Sequence, residues 1–171
     1  CVKVKVHTIA DCERVKKVKD ICSPGTKIRI DCNGRFSVQE AREILDVLKD
    51  VDLELIEQPC RSNKKNAKLR RKIDVPIALD ETARTHSEIL EAKELDAADI
   101  ILVKIQSAGG IHNAIKLVDH WGGDVIVAHM MESQVGIDVG MRLACALDNL
   151  NYACGLVPPR LENVVRKPLD L

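Results

Sequence analysis

Three acids and three lysines recur at the ends of short apolar runs and carry the chemistry the sequence offers. Asp31 closes "KIRID", Glu57 closes "LELIE" and Asp80 closes "PIALD". Lys3 and Lys5 alternate with valines in "VKVKV", and Lys104 closes "DIILVK". The steps from Lys5 to Asp31, Glu57, Asp80 and Lys104 are 26, 26, 23 and 24 residues. Any one acid could be a helix cap or a loop ion pair, and the two lysines alone fit an exposed edge strand. All of them in one register predict a single mouth where the side chains converge. Three carboxylates brought together repel one another and lose hydration unless a cation joins them. A hard divalent ion with oxygen ligands meets that need, Mg²⁺ first and Mn²⁺ after it. A lysine beside such an ion, partly desolvated, has a lowered pKa and can move a proton, and the ion can hold both oxygens of a small-molecule carboxylate substrate.

The elements that must position these residues follow from periodicity. Seven runs read as strands, at 2–6, 27–31, 53–57, 76–80, 99–104, 124–129 and 151–156. Amphipathic helical segments lie between them. "SVQEAREILDVLKD" puts Val38, Ala41, Ile44, Leu45 and Leu48 on one face behind Ser37 as N-cap, and "THSEILEAKEL" and "GGIHNAIKLVDHW" have the same character. Strand then helix at near-constant spacing predicts βαβ units and a parallel sheet. A doubly wound sheet and a closed barrel both fit. The regular repeat and the lack of a G-x-G-x-x-G turn favour the α/β class of the (β/α) TIM-type barrel. A whole barrel needs roughly 250 residues. The expectation for residues 1–171 is therefore a single partial barrel domain, with strands corresponding to the second through eighth of a full one and the first lacking. Its open edge would favour association into a homo-oligomer.

Composition narrows the classes. Twenty-six basic and 26 acidic residues cancel, and the basic stretch "RSNKKNAKLRRK" reads as a solvated helix face. Phe36, Trp121 and Tyr152 are the whole aromatic complement, too few for a base-stacking platform. Neither nucleic acid nor a membrane is an expected partner. Seven cysteines without C-x-x-C pairing read as small buried residues of a reducing compartment, with the cytoplasm as the default location. His7, His86, His112 and His120 show no ligand pattern.

The motifs "KVKV", "RIDCNGRFSVQEA", "LELIEQPC", "VPIALDET", "DIILVKIQSAGGIHNA" and "HMMESQVGI" together resemble the enolase superfamily, in its muconate-lactonizing subgroup. The resemblance implies Asp31, Glu57 and Asp80 as Mg²⁺ ligands, Lys5 as acid/base, Lys104 facing it across the substrate, and Lys3 supporting Lys5. It also implies an N-terminal capping domain in the parent protein. Asn33 is read as a partner of Asp31, and Glu81, Glu132 and Ser133 as lining the mouth, with helix capping as the other reading of Ser133. "IEQPC", "RRKIDVPIALDE" and "NYACGLVPPRLENVVRKPL" are similar to the o-succinylbenzoate synthase family of menaquinone biosynthesis, which implies dehydration of a succinyl-hydroxycyclohexadiene carboxylate. "GLVPPR" departs from that pattern, and "AHMMESQVG" resembles dipeptide epimerases and N-acylamino-acid racemases equally well. A cycloisomerase or a sugar-acid dehydratase ranks lower; the latter would use His129, but Lys104 is present and no Asp partner is evident, so His129 reads as a mouth-lining or structural residue. A non-catalytic scaffold is the remaining alternative.

Overall fold

The computed structural model describes residues 1–156. Six strands, β1 (Val2–Lys5), β2 (Ile28–Asp31), β3 (Leu53–Glu57), β4 (Ile77–Leu79), β5 (Ile100–Val103) and β6 (Asp124–Val127), form one parallel sheet in the order β1-β2-β3-β4-β5-β6. Each is followed by a helix: α1 (Cys12–Ile21), α2 (Val38–Val47), α3 (Asn63–Arg70), α4 (His86–Leu95), α5 (Ile111–Trp121) and α6 (Gln134–Cys145). The order decides between the two architectures left open above. A doubly wound sheet reverses its strand order at a switch point, whereas here every strand is added on the same side as the last. The sheet also curls. Arg29 on β2 donates to the carbonyl of Ala153 at 2.8 Å, 124 residues away in sequence.

The two sheet faces differ because strand side chains alternate. Val4, Ile28, Ile30, Ile56, Ile77, Leu79, Ile101, Val103, Val125 and Val127 pack with the helices in the main core. The other face carries a small apolar cluster of Leu55, Ala78, Ile100, Leu102 and Ile126, with Tyr152 against it. On this inner face the apolar layer gives way to charge at the C-terminal strand ends.

Local chemistry sets the helix starts. The Ser37 hydroxyl accepts from the Glu40 N–H while the Glu40 carboxylate accepts from Ser37 N–H, a reciprocal cap on α2. Thr85 and Glu88 repeat it on α4. On α2, Ala41, Ile44 and Leu48 are buried as the periodicity requires. In α3 the lysines are exposed, but Asn63 and Asn66 are buried: Asn66 Oδ1 accepts from Cys60 N–H, and Asn63 donates to the carbonyls of Thr82 and Glu88.

Three expectations need correction. The run 151–156 forms no strand. It makes one parallel bridge, Gly155 to Ala128, with Gly155 N–H donating to Val127. Its Asn and Gly residues have weak strand preference, and Asn149 and Asn151 tie the connection to Gly123 and Asp124 through their side chains instead. Asp80 and Lys104 stand one position beyond β4 and β5 rather than inside them. All seven cysteines are free, but only Cys12, Cys32 and Cys60 are buried, while Cys1 and Cys145 are exposed. Most of the "GLVPPRLENVVRKPL" motif lies outside the described residues. Among those described, no helix is long and apolar enough to cross a membrane.

Leu79 is fully buried on the helix-facing side of the sheet. Leu79→Ala should cost about 2–5 kcal/mol and Ser37→Ala about 1 kcal/mol. Urea unfolding followed by circular dichroism would check both, and equal losses would contradict this division between core and cap.

Candidate active site

Lys5, Asp31 and Glu57 are direct cross-strand neighbours, paired Lys5 to Asp31 and Asp31 to Glu57. The β2–β3 pairing shifts register once, between Ile28 and Arg29, and is regular from Arg29 onward, which brings an ammonium and two carboxylates to one level. The acids are almost wholly buried, at 1% exposure for Asp31, 2% for Glu57 and 4% for Asp80. The lysine side chains reach in from the rim, 40% exposed for Lys3 and 53% for Lys5.

The contacts form two clusters. Lys3 Nζ donates to both oxygens of Glu57 at 2.9 Å and lies 3.1 Å from Asp31 Oδ2. Lys5 Nζ donates to that same Asp31 oxygen at 2.8 Å and to Asn33 Oδ1 at 2.7 Å. On the far side Lys104 Nζ donates to Asp80 Oδ2 at 2.5 Å, and Arg84 stands 3.6 Å from Asp80 Oδ1. Lys5 and Lys104 thus flank the carboxylates from β1 and from the end of β5.

Burial dominates the electrostatics. It pushes the Glu57 carboxyl from 4.5 up to about 7, Lys3 opposing and the charges of Asp31 and Asp80 adding to the rise. Burial would also raise Asp31, but the Lys5 hydrogen bond and the charges of Lys3 and Lys5 outweigh it and hold Asp31 low. Lys3 follows the same logic: burial would lower it, and Glu57 and Asp31 together hold it above its usual range.

Several side chains brace this arrangement. Asn33 donates its amide to Glu81 Oε1 at 2.9 Å, and its backbone N–H donates to Asp31 Oδ1 at 3.1 Å. Its φ of 46° places it in the left-handed region, which asparagine tolerates better than most residues. Asn33 and Glu81 are therefore joined to the lysine network. Glu132 and Ser133 are not, among the described contacts. Ser133 sits at the N-cap of α6 without a capping bond from its hydroxyl. Glu132 packs back over Gly136, where an added Cβ would come within 2.7 Å of the glutamate's own Cβ.

The sequence reading gave no role to three residues that the structure brings in. Gln58, fully buried with a φ of 40°, accepts from the N–H groups of Asp80 and Thr82 and donates to Cys60 and Thr82. It fastens the end of β3 to the end of β4 and so fixes Asp80. Its signal was its place directly after Glu57. His7, given no role from its pattern, lies at the mouth edge with Nε2 3.3 Å from Asn33 Oδ1. Arg84, four residues after Asp80, is the third.

The donor set fits a hard cation in kind. It offers carboxylate oxygens only, and Cys32 and Cys60 belong to the helix-facing core. The three carboxylates are almost wholly buried, and acids so desolvated and close together call for positive charge beside them. Among the described residues no three acidic, histidine or cysteine side chains are drawn close enough to form a ready cage; ammonium groups balance the acids instead.

A profile of the family described as Enolase C-terminal domain-like matches residues 1–171. The chain belongs to that family. This enolase C-terminal-like chain is 39% identical over 151 residues to the o-succinylbenzoate synthase of Thermobifida fusca, covering 88% of the chain and 48% of that protein. Against the o-succinylbenzoate synthase of Mycobacterium leprae it is 37% identical over 152 residues, covering 88% and 45%. Among solved structures it superposes on an N-succinyl Arg/Lys racemase from Bacillus cereus with a TM-score of 0.82 and 26% identity, covering 90% of this chain and 44% of the racemase. A dipeptide epimerase from Enterococcus faecalis, complexed with Mg and the dipeptide L-Leu-L-Tyr, gives 0.81 and 26%, covering 89% and 45%. The chain spans about half the length of the curated relatives it matches.

The raised Glu57 has a pH consequence. An acid whose folded pKa exceeds its ordinary value binds its proton more tightly when folded. Stability should therefore fall as pH rises from about 4.5 through about 7 and level off above that. Glu57→Gln should flatten this slope, as read from urea midpoints across that range with chelator present. An unchanged slope would place the titrating group elsewhere.

Proposed function

We propose that the parent of this chain is a Mg²⁺-dependent carbon–oxygen lyase catalysing an o-succinylbenzoate synthase-like dehydration. One observation carries the reading: Lys5 and Lys104 face one another across three buried carboxylates at the strand ends. The synthases at 37–39% identity support this choice of reaction. Asp31, Glu57 and Asp80 would hold the Mg²⁺, or Mn²⁺ in its place. When bound, such an ion would supply positive charge beside the substrate carboxylate and so make the adjacent C–H more acidic.

The residues divide the proton work. Lys5, once neutral, takes the α-proton; the C–H electron pair moves toward the carboxylate, and Lys104 offsets the negative charge from the opposite face. The C–O bond to the hydroxyl then breaks, Lys5 returns its proton to the departing oxygen, and water leaves as the ring double bond forms. One lysine serves both steps only if hydrogen and hydroxyl leave from the same face. Lys3 holds Glu57 and shares Asp31 with Lys5, and so keeps both carboxylates placed beside Lys5. Asn33 orients the Lys5 ammonium.

A second reading has its own support. The same opposed lysines suit proton removal on one face and return on the other, and a dipeptide epimerase and a racemase share the fold at 26% identity. The outcomes separate cleanly. Lys5→Ala and Lys104→Ala in the full-length parent should each reduce dehydration by about 10² or more, followed as o-succinylbenzoate absorbance with Mg²⁺ present. Solvent deuterium exchange at the α-carbon without dehydration would favour the epimerase. The 171 residues alone span about half the length of the curated relatives and should turn over weakly or not at all; robust turnover by their monomer would contradict that dependence on the remaining half. Asp80→Asn should abolish Mg²⁺ binding by calorimetry; unaltered binding would remove Asp80 from the ligand set.

A further inference from the structure

A cavity of about 490 Å³ opens between α4 and α5, behind the loops that follow Asp80 and Lys104. Arg84 and His86 form one wall, Ser107 and its neighbours a second, and Lys116, Leu117 and His120 the third. This is the size of a small-molecule site. Its charge is one-sided: two permanent cations line it and no acid does, in a chain where acids and bases are equal in number. Glu88, next along α4, is turned into the helix cap, where it accepts from the N–H groups of Arg84 and Thr85. The body of the cavity is apolar and aromatic, with Ala108 and Leu117 beside the imidazoles of His86 and His120, whose ring centres lie 4.0 Å apart.

Arg84 is incompletely used. Its Nε is buried without a hydrogen-bond partner, and its guanidinium reaches Asp80 only at 3.6 Å. The side chain as a whole is 35% exposed and lines the cavity, and a carboxylate there would meet the bidentate geometry arginine favours. The opposite wall is tied to the active centre as well, because the Ser107 hydroxyl and the Ala108 N–H both donate to the carbonyl of Lys104.

We propose that this cavity binds a small planar carboxylate, its anionic end on Arg84 and Lys116 and its ring against the histidines and Leu117, and that occupancy is coupled to Asp80 through Arg84. A ligand that draws Arg84 away from Asp80 frees that carboxylate for a divalent ion. The coupling half of the proposal rests on the metal reading above; the binding half does not. Coupling is reciprocal, so Mg²⁺ must then tighten the carboxylate by the same factor.

Benzoate is the probe, titrated into the metal-free protein with histidine-labelled NMR as readout. Saturable shifts of the His86 and His120 imidazoles are expected. Arg84→Met and Lys116→Met should each weaken binding about tenfold or more, the worth of one charged hydrogen bond, and the surface position of Lys116 leaves folding unaffected. Benzoate should then tighten Mg²⁺ binding, measured by calorimetry, by about fivefold or more, and Arg84→Met should erase that gain. Shifts confined to His7 and the mouth, or none, would overturn the site. Inorganic phosphate binding as tightly as benzoate would overturn the planar apolar body. Benzoate binding with no effect on a measurable Mg²⁺ affinity would overturn the coupling. Absence of Mg²⁺ binding altogether would overturn the metal reading and the coupling with it, while the benzoate titration would still decide the cavity.

Discussion

Everything at the mouth depends on balancing the charge of three carboxylates that the sheet has taken out of water. An acid with a few per cent exposure loses most of its hydration, and several kcal/mol of desolvation per ion must be recovered from partners. The structure recovers it with Lys3 and Lys5, which reach in from the exposed rim, and with the largely buried Lys104 on Asp80. The division is physically sensible: a long aliphatic stem lets lysine cover the inner face while its ammonium touches a buried acid. A short acid at a strand end has no such reach and stays where the backbone puts it. The acids are thus the fixed part of the site and the lysines its adjustable part.

The fixed part is only as good as the strand register. Parallel pairing of β1 with β2 and β2 with β3 sets Lys5, Asp31 and Glu57 level, and a slip of one residue would turn each to the helix side. Two features guard against that. The helix-facing alternates, Ile28, Ile30 and Ile56, are fully buried, so a slip would expose apolar bulk as well as bury charge. Beyond the strands the backbone is pinned by polar side chains, Asn33 after β2 and Gln58 after β3, each at a positive φ. Such residues leave the strand direction abruptly, which lets the acid before them point into the mouth while the chain turns outward to its helix.

Much of this was legible in the sequence. The interval from one charged strand end to the next is a topological quantity, one βα unit, and it survives in the numbering; hence Lys5, Asp31, Glu57, Asp80 and Lys104 could be grouped before any coordinates. Capping by Ser37 was legible because it is local. What was hidden depends on distance between elements. Gln58 reads as one more polar residue beside a proline until Asp80 arrives from the next strand to use its carbonyl oxygen. Arg84 reads as a loop cation until its guanidinium is seen between Asp80 and a cavity. The run 151–156 misled for the opposite reason: its spacing fitted a seventh strand, but its residues lack the alternation that would bury one side, and side-chain hydrogen bonds from Asn149 and Asn151 take over the connection.

Arg29 shows why the inner face can hold charge at two levels without collapsing into one pool. It lies two residues below Asp31 on β2, is nearly fully buried, and pairs with Glu54 while donating to Ala153. Tyr152 lies 5.8 Å from its guanidinium. A lone buried arginine so close to the mouth would compete with the lysines for Asp31. Its own carboxylate, a backbone carbonyl and an aromatic face hold it at the lower level. Two separately balanced layers leave the upper one free to change its counter-charge while the lower one holds the curl of the sheet. The apolar cluster of Leu55, Ala78, Ile100, Leu102 and Ile126 occupies the rest of that lower face. The strand array is therefore braced from below by the Arg29–Glu54 ion pair and by packed side chains, while the lysine–carboxylate contacts lie at its upper rim.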